Sequence, residues 1–131
     1  MKKVLLAGEF SDVLRSVNEC LEDDYQVQLC QFQVDSISGM IQMKRPDLII
    51  LCKIGFEEVD LAVFDWLNRQ RGELTPVLVV TTEESWLSMK SLCVSDRYDK
   101  LFRPLTKQIL LGKCRQILGY DEPEERVAKP V

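Results

Sequence analysis

Pro46-Asp47-Leu48-Ile49-Ile50-Leu51-Cys52 is a short apolar run, led in by a proline and closed by Lys53 and Gly55. A run of this length bounded by such residues reads as a strand buried on both faces, the pattern of a central strand in a parallel sheet. In open α/β sheets, chemistry collects just beyond the carboxyl ends of the strands. Here that place falls to the thiol of Cys52, which makes it the first candidate functional position.

Outward from this run the chain alternates strand and helix patterns. Val4-Leu5-Leu6-Ala7 is a buried strand ending at Gly8-Glu9, after which Ser11 or Asp12 caps a helix with Leu14, Val17 and Leu21 on its apolar face. Tyr25 to Phe32 alternates, with Val27 and Leu29 on one side and Gln26 and Gln28 on the other, as a half-buried edge strand does. Asp35 or Ser36 caps a second helix with Ile37, Met40 and Ile41 at helical spacing, and Pro46 enforces an extended lead into the central strand.

Beyond Cys52, Asp60 precedes a helix with Leu61, Phe64 and Leu67 on one face, and Gly72 closes that unit. Pro76 opens a second fully apolar strand, Val77-Leu78-Val79-Val80-Thr81. Glu83 to Val94 is a weaker helix, and Tyr98 to Phe102 is a fifth strand followed at once by Arg103-Pro104. Thr106 caps the last helix, whose stripe is Ile109, Leu110, Cys114, Ile117 and Leu118, and Gly119 stops it. Residues 1–119 therefore read as one domain, and 120–131, polar and punctuated by prolines, as a tail or the start of a linker.

Composition narrows the class. With 131 residues, 46% of them hydrophobic, the chain suits one compact domain burying roughly 70% of its unfolded surface. The five cysteines are odd in number, lack CxxC spacing and mostly lie in apolar segments, so they read as reduced core residues of a cytoplasmic protein. With no histidine and scattered thiols, no zinc site is expected, and no cofactor motif of the GxGxxG or P-loop kind occurs. The apolar residues after Met1-Lys2-Lys3 are too few for a signal peptide or a membrane span. A net charge of −4 and a pI near 4.9 argue against nucleic acid as a partner.

Five strands alternating with five helices imply a three-layer, doubly wound parallel sheet with right-handed crossovers. Strand order 2-1-3-4-5, the flavodoxin-like solution, gathers the ends of strands one, three, four and five around one crevice. The residues delivered there are Gly8, Glu9, Cys52, Thr81 and Arg103.

These blocks resemble the receiver domain of two-component response regulators, over the stretch from Lys2 to about Gly119. The resemblance rests on Lys3-Val4-Leu5-Leu6-Ala7-Gly8-Glu9, Pro46 to Cys52, Pro76 to Thr81, and Phe102-Arg103-Pro104-Leu105. It implies an acid pair after strand one, a phospho-accepting aspartate at the end of strand three, a Ser/Thr after strand four and a Lys-Pro after strand five. This chain departs from that pattern. Cys52 stands at the phosphoacceptor position, Gly8 replaces the first acid of the pocket beside Glu9, and Arg103 replaces the lysine. Lys100 stands where a switching receiver carries an aromatic residue, and Phe56 and Asp60 stand where the loop after strand three usually has proline and glycine. Thr81 and Pro104 keep the pattern, and the resemblance implies a cis Arg103-Pro104 peptide.

The chemistry follows from the departures. A thiol does not form the acyl phosphate that a carboxylate forms, and magnesium needs several hard oxygens, of which Glu9 alone remains as a carboxylate. Each carboxylate missing at about 4 Å forfeits on the order of 4 kcal/mol per charge pair. The expectation is a site without metal, neutralised by pairing of Arg103 with Glu9, for which Gly8→Asp with Cys52→Asp is the minimal rescue. The leading function is a phosphorylation-independent pseudo-receiver, a non-enzymatic protein-interaction module. Its expected contact face is the fourth helix, fifth strand and fifth helix, binding a signalling protein or forming a homodimer with ion pairs from Lys100, Lys107 or Lys113 to Asp96 or Asp99. The alternatives are a thiol-based redox sensor at Cys52, a phosphorylatable receiver, or a small flavodoxin-like enzyme.

Overall fold

The computed structural model describes residues 1–9, 11–72 and 74–119. Five strands, β1 (Lys3–Gly8), β2 (Gln26–Cys30), β3 (Leu48–Cys52), β4 (Val77–Thr81) and β5 (Tyr98–Phe102), form one all-parallel sheet in the order β2-β1-β3-β4-β5. The crossovers are α1 (Asp12–Leu21), α2 (Val34–Lys44), α3 (Glu58–Arg69) and α4 (Glu83–Met89), the last continued by a 3-10 turn at Lys90–Leu92, with α5 (Lys107–Leu118) closing the domain. Every residue of β3 and β4 is buried, as continuous apolar runs in the sheet centre require. No helix among the described residues is long and apolar enough to cross a membrane.

Alternation along the strands divides the core into two layers. Val4, Leu6, Leu48, Ile50, Leu78 and Val80 pack with Leu14, Val17, Leu110 and Cys114 of α1 and α5. Leu5, Ala7, Ile49, Leu51, Val77 and Val79 pack on the other face with Ile37, Val63, Phe64, Leu67 and Met89 of α2, α3 and α4. Cys52 belongs to the first layer. The ladder runs one residue further, because the Lys53 amide donates to Val80 O at 3.1 Å, so Lys53 projects to the opposite layer, toward α3.

Several helix starts differ from the sequence expectation. The N-cap of α2 is Gln33, not Asp35 or Ser36, and α3 begins at Glu58 with Asp60 inside its first turn, where Asp60 Oδ2 accepts the Glu57 amide at 2.8 Å. Placing Asp60 at that point rotates the buried stripe of α3 to Asp60, Val63, Phe64 and Leu67, leaving Leu61 43% exposed. In α5 it is Leu111 that is buried and Ile109 that faces out, and Leu29 on the edge strand β2 is also exposed. Ser11, Thr82 and Thr106 do cap α1, α4 and α5 through their hydroxyls, and Gly119 ends α5 at φ +76°.

One anchor had no sequence signal. Arg97 donates from Nε to Thr75 O at 2.7 Å, from Nη1 to Leu67 O at 2.8 Å and from Nη2 to Gln70 Oε1 at 2.9 Å. A single guanidinium thereby satisfies the end of α3 and the approach to β4, a geometry that depends on its planar fork of donors. Residues 120–131, read from sequence as a tail or linker start, lie outside the described residues.

Candidate functional site

The strand ends meet where topology demands. Gly8 stands opposite Cys52 in the β1–β3 register, and Cys52 stands opposite Val80 in the β3–β4 register. Thr81 pairs with Phe102, and the Arg103 amide donates to Thr81 O at 2.9 Å. The Arg103-Pro104 peptide is cis. A cavity of about 160 Å³ lies against Glu9, Ser11, Cys52, Lys53, Ile54 and Val80.

The charge in this crevice comes from a residue the sequence reading treated only as the terminator of β3. Lys53 Nζ lies 3.2 Å from Asp60 Oδ2 and 3.3 Å from Glu9 Oε1, with its side chain only 5% exposed. It also lies 5.9 Å from the centre of the Phe32 ring. Burial pushes the ammonium pKa down, but hydrogen bonding and charge from Asp60, and then from Glu9, outweigh it and leave the pKa raised. The expected pairing of Glu9 with Arg103 is therefore corrected. Lys53 holds Glu9, and Arg103 is exposed with no ion pair among the described residues. The reason is reach: Lys53 directly follows β3, the strand beside β1, and lies between Glu9 and the buried Asp60, whereas Arg103 follows β5, three strands along from β1.

Cys52 is 8% exposed, and burial pushes its thiol up to about 12, with Arg103 pulling weakly the other way. The thiol is thus protonated at neutral pH and is a poor nucleophile. Gly8 is tied to the same spot. A Cβ there would stand 3.0 Å from Cys52 O, 3.1 Å from Leu14 Cδ1 and 3.2 Å from Cys52 Cβ, so a larger residue requires these neighbours to give by a few tenths of an ångström. Acids introduced at positions 8 and 52 would therefore stand in that tight contact, in the same crevice as the ammonium of Lys53.

Thr81 is fully buried, and its Oγ1 has no hydrogen-bond partner among the described residues. Its neighbour carries the polar link instead. Thr82 Oγ1 and Ser85 Oγ lie 2.9 Å apart, and Ser85 Oγ accepts the Gly55 amide at 2.7 Å, with Gly55 at φ +77°, a conformation that favours glycine. Thus α4 is fastened to the loop after β3 by neutral hydrogen bonds. Lys100 lies 5.4 Å from the Trp86 ring, and Trp86 lies 6.5 Å from Phe102. Lys100 is in this way a cation laid on an aromatic face.

The donor set does not fit a divalent metal. Glu9 and Asp60 are both engaged by Lys53, Gly8 offers no ligand and Cys52 is a protonated thiol. The described residues contain no group of three or more Cys, Asp or Glu side chains arranged to hold an ion.

No protein-family model and no curated protein matches the chain. Solved structures do. The receiver domain of NtrX from Brucella abortus superposes with a TM-score of 0.73 at 21% identity, covering 90% of this chain and 99% of that one. This is the receiver fold. CheY4 of Vibrio cholerae, a chemotaxis response regulator, gives 0.69 at 23% identity over 90% of this chain and 99% of its own. NtrX crystallised with ADP matches over 98% of this chain at 22% identity with a TM-score of 0.73, and the chain spans 29% of that protein's length. On the receiver fold, Cys52 and Gly8 sit at strand ends where the sequence resemblance places an aspartate and an acid.

Proposed function

We propose that this domain is a degenerate receiver of two-component signalling that acts through protein contacts without being phosphorylated. The observation that carries this reading is the ammonium of Lys53, set between Asp60 and Glu9 in the crevice where a receiver gathers carboxylates for a metal. A buried cation repels magnesium and engages one oxygen of each carboxylate that would ligate it. The neighbouring thiol offers no acyl phosphate chemistry, and its protonation weighs equally against a peroxide sensor at Cys52.

The partner face we favour is α4-β5-α5, where Leu87 is 66% and Ile109 50% exposed, Val94 in the connection from α4 to β5 is 82% exposed, and Lys100 lies over the Trp86 ring. Lys113 already meets Asp99 at 3.3 Å and Lys107 meets Asp23 at 3.8 Å within the chain, which removes part of the charge basis for a symmetric dimer. A different protein is therefore the favoured partner.

The test is incubation with acetyl phosphate and Mg²⁺ followed by intact mass measurement. No phosphoryl adduct should form on the natural chain or on Cys52→Asp, since neither has a metal site. Stoichiometric acid-labile phosphate on the natural chain would overturn the reading.

A further inference from the structure

A second concavity, of about 530 Å³, lies on the α2–α3 side of the same strand ends, away from α4-β5-α5. Its lining includes Glu9, Gln31, Phe32, Gln33, Val34 and Val63. The volume falls in the range of sites that enclose a small group, and the composition is mixed: apolar walls with a carboxylate and two amides. The electrostatics are not balanced. Asp60, which also lines the groove, and Glu9 supply two carboxylates against the one ammonium of Lys53, leaving a net negative charge. The Glu9 side chain is 74% exposed and only its Oε1 meets Lys53, so Oε2 remains available to a ligand.

We propose that this groove receives an arginine side chain from a protein that docks on the α2–α3 side of the domain. The aliphatic stem of arginine suits Phe32, Val34 and Val63, and its planar head can donate at once to Glu9 Oε2 and to a side-chain carbonyl of Gln31 or Gln33. Glu57, Glu58 and Asp35 stand exposed on the neighbouring helix starts, so the rim repels an acidic ligand and attracts a basic one. Lysine fits less well, because a single ammonium satisfies one acceptor direction at a time. Lys53 sets the specificity: it neutralises one carboxylate and so leaves room for a single positive charge, where two free carboxylates would call for a divalent ion.

The proposal rests on the reading of a protein-binding domain, but its test is separate. A ¹⁵N-labelled domain is titrated with the peptide N-acetyl-Ala-Arg-Ala-amide and with its citrulline counterpart, which keeps the shape and loses the charge. The arginine peptide should give saturable shifts at the Gln31, Phe32, Gln33 and Val63 amides, with the citrulline peptide weaker by about fivefold or more, the scale of one charge-assisted pair in a half-open site. Glu9→Gln should reduce arginine binding by a similar factor while the dispersion of the spectrum shows the fold intact. Absence of saturable shifts in the groove, equal binding of the two peptides, or shifts confined to α4-β5-α5 would overturn it. Phosphate labelling, by contrast, would end the phosphorylation-independent reading and leave the groove untouched.

Discussion

Replacing Lys53 by methionine is expected to cost the domain about 3–5 kcal/mol, the usual penalty for stranding one partner of a buried ion pair. Asp60 would be left 2% exposed with only the Glu57 amide for company. Against a typical domain stability of about 5–15 kcal/mol this is a large fraction. Urea denaturation gives the value. Asp60→Asn added to Lys53→Met should recover most of the loss, because it removes the uncompensated charge and keeps an oxygen able to accept from Glu57. A loss below about 1 kcal/mol for Lys53→Met, the range of exposed pairs, would mean that the ammonium is not held as described.

Stability should also collapse on the alkaline side. Cys52 and Cys114 are buried thiols raised from 9.0 to about 12, while the Lys53 ammonium is raised from 10.5. In each case the folded chain holds its proton more tightly than the unfolded one. Between about pH 9 and pH 12 the unfolded state therefore binds fewer protons, and stability falls as pH rises, being fully present below the unfolded value. Each thiol alone contributes on the order of 4 kcal/mol to that fall by pH 12, since one pKa unit corresponds to about 1.4 kcal/mol. Tyr98 and Cys93 shift in the same direction, but both are only partly buried and solvent reduces their share. Denaturation midpoints measured from pH 7 to 11 should be flat to about pH 9 and then drop steeply, and Cys114→Ala should flatten the drop. A midpoint that holds to pH 11 would contradict the buried, protonated thiols.

The fold was legible because the informative segments are the buried ones. Continuous runs such as Leu48 to Leu51 and Val77 to Val80 have one interpretation once prolines and helical stripes flank them, and strand order then follows from handedness and the shared crevice. The site was half legible. Cys52, Gly8 and Glu9 were located by strand position, whereas the cation was assigned to Arg103 because Lys53 read as a terminator of the apolar run. A signal for Lys53 existed in α3: Asp60 lies in helical register with Phe64 and Leu67, which puts a carboxylate on the buried stripe, and a buried carboxylate needs a cation. The Gly55–Ser85–Thr82 link and the Arg97 anchor gave no such signal, since each joins segments whose proximity arises only once the sheet has formed.

The claim on which the functional reading stands is that Lys53 fills the pocket in place of a metal, and a Mg²⁺ titration of the ¹⁵N-labelled domain tests it most directly. At millimolar Mg²⁺ the amides of Glu9, Lys53 and Asp60 should show no saturable shift. Saturable binding with those amides moving together would show that the carboxylates are free to ligate, and would contradict the assignment of Lys53 as their resident cation.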